Sequence, residues 1–171
     1  NLVTGLAQAY AAFSPVVSIA GALSSEHVYR DAFQEVDQQA LFKPITKKTW
    51  TVPRTGRVPE MFREAFRTAL TPRRGPVQLN LPRDVLSEQC EFGELQRPDQ
   101  NRALNLPYAD DQLIAEAAKI LHEATKPVIV IGGGIKNSGG QEEALALAER
   151  LSAPIILAPG HGDAIPHAHP L

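Results

Sequence analysis

Short apolar runs alternate along this chain with segments of helical periodicity, and this alternation limits its fold more than any other feature. Strands are predicted at residues 16–20, 49–52, 77–81, 127–131 and 153–157. Helices are predicted at residues 1–13, 34–42, 58–70, 110–124 and 138–151. Helices that alternate with short apolar strands are typical of parallel sheets. The sequence therefore predicts an α/β chain whose parallel sheets are flanked by helices.

The clearest single element is the amphipathic helix predicted over residues 58–70. Its apolar face comprises Val58, Met61, Phe62, Ala65, Phe66 and Ala69, which recur at the spacing of one helix face. A proline-rich turn ends it, and Val77, Leu79 and Leu81 then alternate with polar residues as in a strand. This helix and strand are expected to form the centre of one core.

A polar, proline-punctuated stretch divides the helix–strand rhythm into two parts. Residues 87–109 show no sustained periodicity, which is typical of a linker. We therefore expect two sheets, in residues 1–86 and 110–171. The chain opens as a helix already set in a fold and closes on a loop, so we expect an internal piece of a longer polypeptide.

Composition and charge exclude several classes of protein. The 171 residues carry a formal net charge of -2 with no basic stripe, so we predict no nucleic-acid surface. No apolar run approaches the length of a membrane span, which predicts no membrane insertion. Cys90 is the single cysteine, and a chain without an internal disulfide fits a reducing, cytoplasmic compartment.

One polar segment suggests a ligand contact. Phe33, Gln34 and Glu35 follow the strand predicted at residues 16–20, where open α/β sheets usually bind ligands. The alternative is a helix start with Glu35 as an ordinary capping carboxylate. His161, His167 and His169 lack the spacing that would complete a metal site, so no metal-ligating residue is predicted.

An ordered set of motifs resembles the acetolactate synthase group of thiamine-diphosphate enzymes. The set includes Phe33-Gln34-Glu35-Val36-Asp37, Gly75-Pro76-Val77, Leu81-Pro82-Arg83-Asp84, Gly132-Gly133-Gly134 and His169-Pro170-Leu171. The resemblance implies parts of two consecutive three-layer domains. Residues 1–86 would be the later part of the pyrimidine-binding domain, and residues 110–171 the first part of a central domain related to NAD- and FAD-binding sheets.

The same resemblance implies an enzyme that uses thiamine diphosphate and Mg²⁺, decarboxylates a 2-keto acid and ligates the remainder to an acceptor carbonyl. It implies a homo-oligomer, at least a dimer. The glutamate that activates the cofactor and the metal motif lie outside the matched segments, so this chain alone is expected to be inactive. Glu35 is not the counterpart of that glutamate.

Residue roles follow from the resemblance alone. Phe33 would line the substrate pocket across a subunit interface, and Gln34 would polarise a reacting carbonyl. Arg73 and the glycines at 132, 133 and 134 would contact FAD in members that hold it. Lys47 and Arg83 would lie near the channel mouth.

Other interpretations stay open. Leu157-Ala158 stand where FAD-binding synthases usually have two threonines, which argues against FAD. Residues 161–166 resemble sulfoacetaldehyde acetyltransferase, a cousin that uses phosphate as acceptor. A non-catalytic nucleotide- or flavin-binding module is a further possibility, as is a purely structural remnant. The alternative for the glycine run is a turn with positive φ, and the alternative for Arg73 is a solvated turn.

Overall fold

A computed structural model describes residues 1–97 and 108–171 of this chain. The chain divides into two compact units, Asn1–Pro107 and Tyr108–Leu171. Residues 98–107 of the linker predicted at residues 87–109 lie outside the described residues. Within its described part, residues 88–97 form neither helix nor strand, while Ser87 ends a helix that the sequence pattern did not predict.

The first unit is built around a three-stranded parallel sheet in the order β1-β3-β2. In this unit, Leu79 pairs with Ile19 on one side and with Trp50 on the other. Its helices and strands, in chain order, are α1 (Leu2–Ala11), β1 (Val17–Ala22), α2 (Gln38–Phe42), β2 (Lys48–Thr51), α3 (Val58–Leu70), β3 (Val77–Pro82) and α4 (Arg83–Ser87).

The core of this unit lies between α3 and one face of the sheet. Met61, Ala65 and Ala69 of α3 pack against Val77 and Leu79 of β3, all of them buried. Truncating a large buried side chain such as Leu79 to alanine lowers the free energy of unfolding by about 2–5 kcal/mol. The predicted bounds of α3 are confirmed, although Phe66 of its predicted apolar face is 55% exposed.

The opposite face of the same sheet is polar and still buried. All six residues of β3 are buried, although apolar and polar residues alternate along it, because β3 is the central strand of a parallel sheet. Gln78 donates to Asn80 Oδ1 at 3.0 Å, and Gln39 of α2 donates to Thr51 Oγ1 at 2.9 Å. Helices thus cover both faces, which gives this unit three layers.

The second unit has a two-stranded parallel sheet, β4 paired with β5. Ile131 and Ala144 are buried in a cluster on one face, whereas Val130 and Ile156 on the other face are 68% and 55% exposed. Only one face of this sheet is therefore covered within the unit. Its elements are α5 (Asp111–Glu123), β4 (Ile129–Ile131), α6 (Gly133–Ser138), α7 (Gln141–Leu151) and β5 (Ile155–Leu157).

The parallel α/β architecture predicted from the sequence is confirmed, and two helix boundaries differ. The helix predicted over residues 34–42 begins only at Gln38, where the Asp37 side chain accepts from the amide of Ala40 at 2.9 Å. The helix predicted over 138–151 is two helices, α6 and α7, separated at Gly139 with φ of 76°. No helix in either described stretch is long and apolar enough to cross a membrane.

Candidate functional site

An open cleft of about 1760 Å³ lies at the carboxyl ends of the strands in the first unit. All three strands run parallel, so the segments that leave them meet at one edge of the sheet. The lining comes from residues 21–29 and 32–39, with Thr51, Pro82, Arg83, Asp84 and Ser87. This is the edge at which open α/β sheets usually bind ligands.

Phe33 and Gln34 both line this cleft. The Phe33 ring is 86% exposed, and the Gln34 backbone is left-handed with φ of 64°. The side-chain amide of Gln34 has no hydrogen-bonding partner among the residues that the structure describes. An aromatic ring and a free amide are thus available to a ligand or to a neighbouring chain.

Glu35 does not cap a helix, so that interpretation of this carboxylate is wrong. It accepts hydrogen bonds from the backbone amides of Tyr29 at 2.6 Å and Ala32 at 3.0 Å. The Tyr29 amide, followed by that of Ala32, holds the pKa of the Glu35 carboxyl below its usual value, because both stabilise the charged form. The carboxylate therefore closes a loop around Phe33 and Gln34.

A second carboxylate holds the start of the loop formed by residues 24–37, which we call the cleft loop. Asp84 accepts from the backbone amide of Ser25 at 3.1 Å. Partial desolvation raises the pKa of Asp84, but the hydrogen bonds from Ser25 and from the amides of Asp84 and Val85 outweigh it and the net pKa is lowered. On the other side of the loop, Gln38 Nε2 donates to the carbonyl of Gly21 at 2.9 Å.

The loop between these anchors holds three non-glycine residues in the left-handed region. Tyr29, Asp31 and Gln34 have φ of 64°, 53° and 64°. Each such residue costs on the order of 1 kcal/mol against ordinary backbone. Strain of this kind persists only where other contacts fix the backbone, and it is common at binding sites.

The two basic residues expected near a channel mouth differ in placement. Arg83 lines the cleft, and its guanidinium has no ion pair or hydrogen bond within residues 1–97 and 108–171. Lys47 instead donates to the carbonyls of Thr68 at 2.5 Å and Thr71 at 2.9 Å, at the end of α3. Desolvation lowers the pKa of Lys47, as expected for a partly buried amine.

Arg73 lies in the first unit, outside the cleft lining. Its guanidinium stands over the Phe13 ring, 4.3 Å from the ring centroid, which is a cation–π contact. A ligand that uses this guanidinium would compete with the ring of Phe13.

The glycine run lies at the carboxyl end of β4 in the second unit. Gly132 is extended, and Gly133 and Gly134 form the first turn of α6, so none of them has the positive φ of a simple glycine turn. A Cβ added to Gly133 would stand 2.6 Å from Cε1 of His161. Because Gly133 has no Cβ, the imidazole of His161 can lie close to its backbone.

An ion pair holds the segment that carries His161 against α6. Lys136 Nζ and Asp163 Oδ2 are 2.6 Å apart, and the Lys136 amine lowers the pKa of Asp163. Within the described residues, no group of three or more histidine, cysteine or acidic side chains is placed to bind a metal ion.

Two features of the site lay beyond the sequence pattern. Leu81-Pro82-Arg83-Asp84 is one of the motifs that carry the resemblance, but nothing in it indicates that Asp84 binds a residue 59 positions earlier. The contact of His161 with Gly133 joins two segments whose proximity depends on β4 and β5 pairing.

Comparison with known families gives a match in the second unit. Residues 114–171 match the family described as "Thiamine pyrophosphate enzyme, central domain". Over its whole length the chain is 38% identical to the "Probable acetolactate synthase large subunit" of Methanocaldococcus jannaschii and 34% identical to the acetolactate synthase large subunit of Corynebacterium glutamicum. The chain spans 29% and 27% of these two proteins.

Solved structures agree with the sequence relatives. Benzoylformate decarboxylase from Polynucleobacter necessarius matches 93% of this chain with a TM-score of 0.80 at 26% identity, and the match covers 29% of that protein. The thiamine-diphosphate-dependent 4-hydroxybenzoylformate decarboxylase of Rhodococcus jostii matches 92% of this chain with a TM-score of 0.74 at 27% identity, over 30% of that protein. The resemblance to thiamine-diphosphate enzymes indicated by the sequence motifs is confirmed.

Proposed function

We propose that this chain belongs to a thiamine-diphosphate-dependent enzyme of the acetolactate synthase type, which decarboxylates a 2-keto acid and ligates the remainder to a second carbonyl. In this proposal residues 1–86 are the later part of the pyrimidine-binding domain, residues 87–109 the linker and residues 110–171 the start of the central domain. One observation carries the proposal: Phe33 and Gln34 stand unpartnered in a cleft at the carboxyl edge of a parallel sheet.

Thiamine diphosphate, bound with Mg²⁺, would supply the electron sink for the loss of carbon dioxide. The residues of this chain would bind and orient the substrate. Gln34 offers amide protons to a carbonyl oxygen, Phe33 offers an apolar wall, and Arg83 offers a charge that suits a carboxylate. All three side chains line the same cleft.

The exposed ring of Phe33 favours a homodimer or tetramer in which a second subunit covers it. We place the enzyme in the cytoplasm. This chain alone is expected to be inactive, because the resemblance puts the cofactor-activating glutamate and the metal motif in other segments of such enzymes.

Flavin is a lesser part of the proposal. Arg73, Gly132, Gly133 and Gly134 are the candidates for FAD contact. A flavin at Gly133 would compete with the His161 imidazole, and one at Arg73 with the Phe13 ring.

The second candidate is a sulfoacetaldehyde acetyltransferase-like enzyme, favoured by the resemblance of residues 161–166 to that enzyme. Assays of the full-length enzyme with pyruvate and with sulfoacetaldehyde plus phosphate, each with and without thiamine diphosphate, separate the two. A non-catalytic nucleotide-binding module would bind FAD or ADP in titration calorimetry and show no thiamine-dependent turnover.

A further inference from the structure

Glu35 lies in the cleft loop but outside every role that the resemblance assigns. We propose that Glu35 is a positioning residue, whose carboxylate holds residues 29–35 in the shape that presents Phe33 and Gln34 to the cleft. The effect of Glu35 on catalysis rests on the proposed function, whereas its effect on the shape of the loop does not.

The geometry of the loop shows how one side chain holds it. Oε1 of Glu35 accepts from the amide of Tyr29 and Oε2 from the amide of Ala32, while the amide of Glu35 donates to the carbonyl of Ala32 at 3.0 Å. Phe33 and Gln34 therefore lie between two points, Ala32 and Glu35, that are bonded to each other through both side chain and backbone.

Packing does not hold this segment in place. The side chains of Tyr29 and Phe33 are 96% and 86% exposed, and no glycine occurs among residues 29–35 to relieve the left-handed backbone. The anchors through Asp84, Gln38 and Asp37 bind residues outside 29–35. Within the loop itself, the Glu35 carboxylate is the side chain that joins the two ends.

The chemistry of the contact favours a carboxylate over its amide. Both backbone partners are N–H donors, so the side chain must offer two acceptor atoms, which an ionised carboxylate does. A glutamine offers only one acceptor and would point its NH₂ group at the other donor. Glu35→Gln is therefore expected to keep one of the two hydrogen bonds, and Glu35→Ala neither of them.

The test uses the full-length enzyme as wild type, Glu35→Ala, Glu35→Gln and the control Glu60→Ala. Glu60 is a suitable control because its carboxylate also accepts hydrogen bonds and also has a lowered pKa, caused by Arg57, but it lies on α3 outside the cleft. Hydrogen exchange is followed in peptides that cover residues 28–36. The values of kcat and KM are measured with pyruvate and with sulfoacetaldehyde plus phosphate.

We expect exchange at Tyr29 and Ala32 to rise about tenfold or more in Glu35→Ala, with a smaller rise in Glu35→Gln and none in Glu60→Ala. The value of kcat should fall more than KM rises, with Tm unchanged, since a misplaced Gln34 affects the reacting carbonyl more than ground-state binding. A general loss of structure would instead lower Tm and leave kcat per folded enzyme unaltered.

Unchanged exchange in Glu35→Ala would overturn the proposal, and so would faster exchange with kcat and KM both at wild-type values. If Glu35→Ala does not fold, exchange at Tyr29 and Ala32 in Glu35→Gln decides in the same way. Faster exchange in a protein with no thiamine-dependent activity would support the loop-holding role of Glu35 and reject the proposed function. Failure of the one can therefore be told from failure of the other.

Discussion

The Asp84 side chain, two residues beyond the end of β3, accepts a hydrogen bond from the backbone amide of Ser25, three residues beyond the end of β1. This contact joins the carboxyl ends of two neighbouring strands across 59 positions of sequence. Together with Glu35 it makes the cleft loop depend on two ionised carboxylates, both of which lie at the surface.

The cleft loop should loosen in acid. The folded-state pKa values of Asp84 and Glu35 are lowered, so their contribution is present above the unfolded values and is lost as pH falls through the folded ones. The loss should thus be centred below the ordinary carboxyl range of about 4. Hydrogen exchange of residues 24–37 against pH, corrected for the intrinsic rate, checks this.

Above that range, changes of pH should leave the loop unaffected. A loosening centred between pH 5 and 7 would contradict the assignment to Asp84 and Glu35. Asp84→Asn and Glu35→Gln should each weaken the dependence, because each removes one of the two titrating groups.

Phe33→Ala and Gln34→Asn should impair turnover without harming the fold. Both side chains are exposed, so stability should change by no more than about 0.5 kcal/mol. Loss of a well-placed donor to a reacting carbonyl costs on the order of 10²-fold in kcat, which we expect for Gln34→Asn. Asparagine tolerates the left-handed backbone at this position.

Phe66→Ala provides the control, since Phe66 is also an exposed aromatic residue but belongs to α3. Its kcat should equal that of wild type within about twofold. Equal losses in Phe33→Ala and Phe66→Ala would mean that the cleft has no special part in turnover.

Lys47→Met should free the end of α3. The amine satisfies the carbonyls of Thr68 and Thr71, and hydrogen bonds to a charged group contribute about 1.5–3 kcal/mol. We expect local unfolding of the last turn of α3 to become easier by about that amount, measured by native-state hydrogen exchange. Lys43→Met changes an exposed lysine and should have no such effect on α3. Equal exchange in the last turn of α3 in the two variants would refute the role of Lys47 in holding the end of this helix.

Two neighbouring glycines of α6 should respond differently to alanine. Gly133→Ala places a Cβ 2.6 Å from His161 Cε1, whereas nothing lies within 4 Å of a Cβ at Gly134. Because an imidazole can rotate, we expect Gly133→Ala to displace the His161 ring and Gly134→Ala to leave it in place. Crystal structures of the two variants check this, and an unmoved ring in Gly133→Ala would contradict the close approach of His161 to Gly133.

Periodicity predicted the elements of this fold well, and the exceptions have local causes. The bounds of α3 followed from Val58, Met61 and Ala65 at helical spacing. The start of α2 differs from the predicted one because Gln34 lies in the left-handed region, which no pattern of apolar residues signals. The division between α6 and α7 depends on the positive φ of Gly139.

The candidate site was predictable in position but not in its internal contacts. Phe33 and Gln34 could be placed at a strand end, because parallel strands bring their carboxyl ends to one edge. The role of Glu35 could not be deduced, since a carboxylate that precedes a helix and one that closes a loop look alike in sequence. Lys47 likewise carries a charge that suits a ligand, while its actual partners are the carbonyls of α3.

Titration of thiamine diphosphate with Mg²⁺ into the full-length enzyme tests the central claim most directly. The account predicts saturable, Mg²⁺-dependent binding at one site per subunit, and turnover that disappears when the cofactor is removed. Absence of thiamine diphosphate binding, or turnover that persists without it, would contradict the account.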